Sequence, residues 1–295
     1  MALTKKEQDA IIISKAMRAA SKRRTATKII VIILLASLVL SGGAWGIISF
    51  VEQNSMMVSV DQTKEGLSLC QTPDFEKPVT KLNMQGPEKM DAYTYTWFFT
   101  DKFLGKDGPH HDNNYICYSF YLKNVSPTNG CLYTMETQIT KNIKNTSSAL
   151  RILIIESDMN CNNEVETAKV YAQKKSDGLS EYIAYDDCTV DQEPNTLEML
   201  NASRSPTSNL ELLDTNVAYP FLEDVYNKET EEYLGFFAMR EEGKKLDYNS
   251  YKKYTIVMWL EGTDLQCTNE ILGGKCTVQI NFKLEKYLDV EYYGE

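Results

Sequence analysis

Between Ile29 and Val51 the chain runs 23 residues without a charge, as Ile-Ile-Val-Ile-Ile-Leu-Leu-Ala-Ser-Leu-Val-Leu-Ser-Gly-Gly-Ala-Trp-Gly-Ile-Ile-Ser-Phe-Val. Wound as a helix, such a stretch is about 34 Å long, enough to cross a hydrocarbon core ~30 Å thick with modest tilt. No other stretch of the sequence approaches it. The 28 residues before it hold eight basic groups, four of them (Lys22, Arg23, Arg24, Lys28) close to the boundary, against Glu7 and Asp9. The residues after it carry a net charge of −16, so that the whole chain stands at −10. The excess of positive charge on one flank places residues 1–28 in the cytoplasm and residues 52–295 outside. Trp45 and Phe50 fall near the outer interface, where amphipathic rings settle. A cleaved signal would have a shorter apolar run and a shorter leader. We therefore expect a retained signal-anchor, with Gly42 and Ala44 marking the small-x-small site that cleavage would use.

This division excludes several classes. A nucleic-acid partner is not expected, because the acidic bulk would be repelled by phosphates. Eighteen Tyr and ten Phe are too many for a disordered chain. The leader reads as a basic amphipathic helix. Thr4 and Glu7 match a capping box, and Ala10, Ile13, Met17 and Ala20 share a face, so membrane lipid is its expected partner.

Residues 52–295 read as mainly β. In Cys276–Leu284, Val278, Ile280, Phe282 and Leu284 alternate with Thr277, Gln279, Asn281 and Lys283, which predicts one buried and one wet face. Tyr254–Leu260 is apolar on both faces. Ala92–Phe99, Tyr115–Leu122, Leu132–Ile139 and Leu150–Ile155 add four candidate strands, with a turn cluster over 124–130. The expected fold is an extracellular two-sheet sandwich or jelly roll of one domain, behind one N-terminal transmembrane helix. Residues 191–232, rich in Asn, Ser and Thr with Pro194, Pro206 and Pro220, read as a long insertion with one short helix.

All seven cysteines follow the apolar stretch, as suits an oxidising compartment. Expected bridges are Cys267–Cys276, bracketing a short loop, then Cys117–Cys131 across a hairpin and Cys161–Cys188, with Cys70 left over. The alternative is buried thiols packing as small hydrophobes. Asn124, Asn145 and Asn201 begin glycosylation triplets, to which a chain this rich in Asn, Ser and Thr gives no weight.

No catalytic constellation emerges, and no cofactor is implied. The two histidines, His110 and His111, are adjacent, and on a strand they would point apart. Neither His-Glu-x-x-His, Gly-x-Ser-x-Gly nor a phosphate-binding Gly-Lys-Ser/Thr loop occurs. Asp158, Asn160 and Asn162 have the spacing that opens a calcium loop. Asn163 replaces its turn glycine, however, and Lys169 stands where the bidentate glutamate belongs, so a solvated acidic loop is the expected reading. Paired carboxylates such as Glu241–Glu242 or Glu231–Glu232 are of the type a wall hydrolase uses, yet neither stands out in so acidic a body.

The segments Leu40-Ser-Gly-Gly-Ala-Trp-Gly46, Asn54-Ser-Met-Met-Val-Ser-Val60 and Gly66-Leu-Ser-Leu69 resemble the opening of the TasA/camelysin family of Gram-positive bacteria. Phe120-Tyr-Leu-Lys-Asn124 and Leu150-Arg-Ile-Leu-Ile154 are similar to later strands of that family. Trp259–Cys267, through Gly273 and Gly274 to Phe282, looks like the closing strands of uncharacterised surface proteins from the same bacteria. The resemblance implies a jelly-roll subunit at the cell surface. It also implies self-association in which a strand containing Met56, Val58 and Val60 is lent to a neighbour. Camelysin is catalogued as a metallopeptidase, an activity the missing zinc motif does not support. The function expected is thus a membrane-anchored extracellular structural or binding protein, with itself or other surface proteins as partners. The alternatives are a tethered hydrolase or a sensor ectodomain.

Overall fold

The strict alternation in the last predicted strand sets the architecture. In the computed structural model, Val278, Ile280 and Phe282 are fully buried while Thr277, Gln279 and Asn281 lie on the half-exposed face. The structure describes residues 54–61, 66–95, 104–158, 164–185, 213, 215–227 and 232–288. The leader, the apolar stretch from Ile29 to Val51, Cys161, Cys188, Asn160 and Asn162 lie outside them, as does most of 191–232. Among the described residues no helix is long and apolar enough to cross a membrane.

Thirteen strands are formed among the described residues: β1 (Ser55–Val60), β2 (Leu67–Cys70), β3 (Lys81–Gln85), β4 (Gly108–Pro109), β5 (Tyr115–Asn124), β6 (Cys131–Ile143), β7 (Leu150–Asp158), β8 (Glu164–Ala172), β9 (Tyr219–Pro220), β10 (Glu223–Asn227), β11 (Glu232–Leu246), β12 (Tyr251–Leu260) and β13 (Lys275–Tyr287). They make two mixed sheets. One has the order β10-β11-β6-β13-β1-β3; the other runs β2-β5-β12-β7-β8-β9, with β4 against β5. Each is mixed because of one parallel pair, β1 with β13 and β8 with β9.

The sheets share a core. Phe282 of the first sheet meets Tyr254 and Phe120 of the second, with ring centroids 5.1 and 5.9 Å away. The Tyr133 and Tyr254 hydroxyls, one from each sheet, are hydrogen bonded at 2.6 Å. The second sheet is covered on both faces. Ile256 and Met258 of β12 enter the shared core, while Val257 and Trp259 join a second apolar cluster with Tyr95, Cys117, Ile183 and Leu213. A strand buried on both faces reads as an unbroken apolar run, as Tyr254–Leu260 does.

Four of the predicted strands correspond to β5, β6, β7 and β12, and Cys276–Leu284 falls within β13. Ala92–Phe99 differs. Its described part makes one isolated bridge, Tyr93 to Glu261, and then leaves the ladder because the Tyr95 amide donates to the Glu261 carboxylate instead. Within 191–232, the later residues contribute β9 and β10 to the sheets. Strand β11 was not expected. Its pairing with β6 shifts register twice, once beside Gly243, whose φ of +68° suits glycine, and such bulges destroy the period of two.

Buried apolar area favours the fold by roughly 25 cal/mol per Å², and a charge in that setting has no compensating partner. Val58 is fully buried between Ile280 and Leu82, whereas Ser59 lies on the half-exposed face. Val58→Asp should therefore lower unfolding free energy by more than about 3 kcal/mol, against under about 1 kcal/mol for Ser59→Ala. Urea denaturation of the two variants beside wild type measures this.

Candidate functional site

Strand β1 occupies an interior slot of its sheet, between β13 and the edge strand β3. Met56, Val58 and Val60 stand opposite Val278, Ile280 and Phe282 of β13, and all six side chains are at most 4% exposed. On the other side β1 pairs antiparallel with β3. On the outer face Ser59 Oγ donates to Asn281 Oδ1 at 2.6 Å. Asn54 pins the start of the strand. Its Oδ1 accepts from the Cys276 amide at 2.9 Å, and its carbonyl accepts from the Gly86 amide at 2.8 Å. At the other end the Asp61 amide donates to the Phe282 carbonyl at 2.9 Å. Beside Asn54 opens a cavity of about 400 Å³ with Met90, Leu260, Cys267 and Ile271 on its walls and Lys275 at its edge. That volume is in the range of small-molecule sites.

The thiols correct two of the three expected bridges, the third (Cys161–Cys188) lying outside the described residues. Cys70, Cys117, Cys131, Cys267 and Cys276 are all in the thiol form. Cys117–Cys131 fails because β5 and β6 are not a hairpin. The turn at 124–130 carries the chain from one sheet to the other, leaving Cys117 in the second apolar cluster and Cys131 in the shared core. Cys267 and Cys276 flank their loop, but Cys276 is buried in the core and Cys267 only packs against it from the cavity side. Burial pushes the Cys131 and Cys276 thiols up to about 12, which makes them poor at thiol exchange.

One constellation was not visible in the sequence. His110 Nε2 lies 3.0 Å from Cys117 Sγ, and His110 Nδ1 lies 2.8 Å from the Gly108 carbonyl. A carbonyl only accepts, so the neutral ring carries its proton on Nδ1 and Nε2 accepts from the thiol. Burial raises the Cys117 pKa far above its ordinary value, so the sulfur stays protonated beside a nitrogen-base partner. Activation of such a thiol as a nucleophile would need the opposite shift. His111, the next residue, is exposed. The sequence clue was the spacing of seven between His110 and Cys117, which the short antiparallel β4–β5 contact folds back on itself.

The other candidates separate. Asp158 ends β7 with its backbone paired to Glu164 and Lys252. Among the described residues no group of three His, Cys, Asp or Glu side chains could hold a metal. Glu241 and Glu242 diverge. Glu242 is exposed and pairs with Arg240 at 2.9 Å, whereas Glu241 accepts from Lys169 at 2.6 Å, Lys244 at 3.0 Å and Tyr171 at 3.0 Å. Lys244 also pairs with buried Glu156, so this network joins β11 to β7 and β8 across the two sheets. Asn124 is buried, its amide donating to the carbonyls of Asn129 and Asp247 at 2.8 and 3.1 Å, while Asn145 is exposed.

No protein-family model, curated protein or solved structure significantly matches this chain.

Burial opposes ionisation of Glu241, but hydrogen bonds from Lys169 and Lys244 outweigh it and lower its pKa to about 2 from an ordinary 4.5. Burial likewise opposes the Lys244 charge, and Glu156 and Glu241 outweigh it and raise that pKa. The Glu241 contribution is present above pH 4.5 and is lost as pH falls towards 2; the Lys244 contribution is present below its ordinary 10.5 and is lost only above it. Glu241→Gln should therefore lower the urea midpoint at pH 6 and flatten its decline between pH 4.5 and 2, measured by fluorescence-detected unfolding.

Proposed function

We propose that this chain is a single-pass cell-surface protein, with residues 1–28 as a basic cytoplasmic helix, 29–51 as a retained transmembrane anchor and the remainder as an extracellular jelly-roll domain that binds or assembles. The anchor rests on the charge asymmetry across an uncharged stretch. The assembling role is carried by one observation: β1, the first strand described after that stretch, fills the slot between β13 and the edge strand β3 with three buried side chains, Met56, Val58 and Val60. A strand of that kind is interchangeable between identical copies, because the slot formed by β13 and β3 recognises the same backbone ladder and the same three side chains whichever chain supplies them. In the isolated chain the slot is filled by its own β1, so assembly requires exchange of that strand. The 400 Å³ cavity at the strand's entrance is the place where a ligand would influence the exchange.

Two measurements test this. N-terminal sequencing of protein from intact cells should return the leader rather than a residue beyond Ala44, and external protease should digest the domain on the same cells. For exchange, Met57 faces Gln279 across the parallel pair. Mixing chains carrying only Met57→Cys with chains carrying only Gln279→Cys should give oxidised dimers, whereas the double variant alone should also cross-link within one chain. Loss of the leader removes the anchor. Cross-links confined to the double variant, within single chains, remove strand exchange.

A further inference from the structure

After β8 the chain makes a tight turn in which the Gly178 amide donates to the Lys175 carbonyl and the Lys175 amide to the Leu179 carbonyl, both at 2.9 Å, with Gly178 at a φ of +82°. It then crosses the covered face of the second sheet as residues 181–185. Two tyrosines there are fixed by their backbones. The Tyr182 carbonyl accepts from Arg151 Nε at 3.0 Å and Nη2 at 2.8 Å, and the Tyr185 amide donates to Thr263 Oγ1 at 2.9 Å. The Tyr185 hydroxyl donates to the Glu181 carboxylate. The two rings are 5.5 Å apart with 84° between their planes, forming two walls of a corner.

An ammonium already sits in that corner. Lys175 Nζ lies 4.1 Å from the Tyr182 centroid and 5.6 Å from that of Tyr185. The corner adjoins a cavity of about 250 Å³ whose walls include Asp177, Glu181 and Asp264, with Lys175 as the only cationic wall residue among the described ones. Asp264 is neutralised by Arg151 at 2.8 Å. Glu181 is 3% exposed and, among the described residues, makes no ion pair; its Oε1 accepts from the Tyr182 amide at 3.0 Å and from the Tyr185 hydroxyl, which leaves a desolvated carboxylate directly behind the two rings. Aromatic faces set at an angle, backed by a desolvated carboxylate, are the chemistry that recognises organic cations.

We propose that the Tyr182–Tyr185 corner is a binding site for a small alkylammonium cation, with Lys175 as a built-in occupant that such a ligand displaces. The arrangement permits displacement. Lys175 stands on a surface turn, and among the described residues its ammonium meets ring faces and makes no ion pair. A quaternary ammonium sheds its water more readily than a primary one and gains more from the same two faces. The site is separate from the β1 slot, so it stands or falls independently of strand exchange.

The test uses the full-length chain in detergent, titrated with tetramethylammonium chloride at constant ionic strength and followed by tyrosine fluorescence and calorimetry. Neutral 3,3-dimethylbutan-1-ol serves as the shape control. Lys175→Ala should bind tetramethylammonium about tenfold more tightly than wild type and the alcohol no better. On that background Tyr182→Phe, which keeps the ring face, should retain binding, and Tyr182→Leu should lose it. Lys175→Gln replaces Lys175→Ala if the latter lacks the wild-type unfolding transition. Equal affinity in wild type and the Lys175 variant overturns the proposal, as does equal affinity with Phe and Leu at 182 or equal binding of the alcohol.

Discussion

The parallel ladder between β1 and β13 is the contact on which the first sheet depends. Ser55 faces Thr277 and Val60 faces Phe282, so the pairing joins residues 222 apart in sequence. Closing so long a loop carries an entropic cost that the ladder and its buried side chains must offset. Without β1, β13 and β3 would both present open edges, and the shared core would lose Met56, Val58 and Val60.

Buried charge organises the second sheet differently. Arg151 is fully buried, with Asp264 and the Tyr182 carbonyl as partners, and Glu261 is fully buried, accepting from the Tyr95 amide, Trp259 Nε1 and the Thr263 hydroxyl. Desolvating such groups costs several kcal/mol each unless every lone pair and proton is met. What they specify is position. They fasten residues 91–95 and 181–185, which form no continuous ladder, over a sheet face that would otherwise be wet, and so set the second apolar cluster. The Tyr182–Tyr185 corner inherits its rigidity from this fastening.

The fold was legible where period and burial agreed. Val278, Ile280 and Phe282 announced β13, and the apolar run at Tyr254–Leu260 announced a strand covered on both sides. Legibility ended where charge lies inside or along a strand. Lys169 in β8 and Glu241 and Lys244 in β11 neutralise one another between the sheets, a pairing with no local signature in the sequence. The thiols failed for a topological reason. Nearness in sequence across 124–130 suggested a hairpin, and the chain instead changes sheets there, so Cys117 and Cys131 face different cores. The His110–Cys117 contact and the tyrosine corner are likewise products of tertiary placement, although each lies within a dozen residues of chain.

The direction of β1 has a mechanical meaning. Because the first and last of the described strands run the same way, tension that enters at Asn54 and leaves past Tyr287 pulls them in opposite senses along their length, and the ladder bonds bear the load together in shear. An antiparallel pair of terminal strands would open like a zipper, one bond at a time. A body tethered through its first strand and loaded at its far end would thus yield abruptly, at high force, rather than creep.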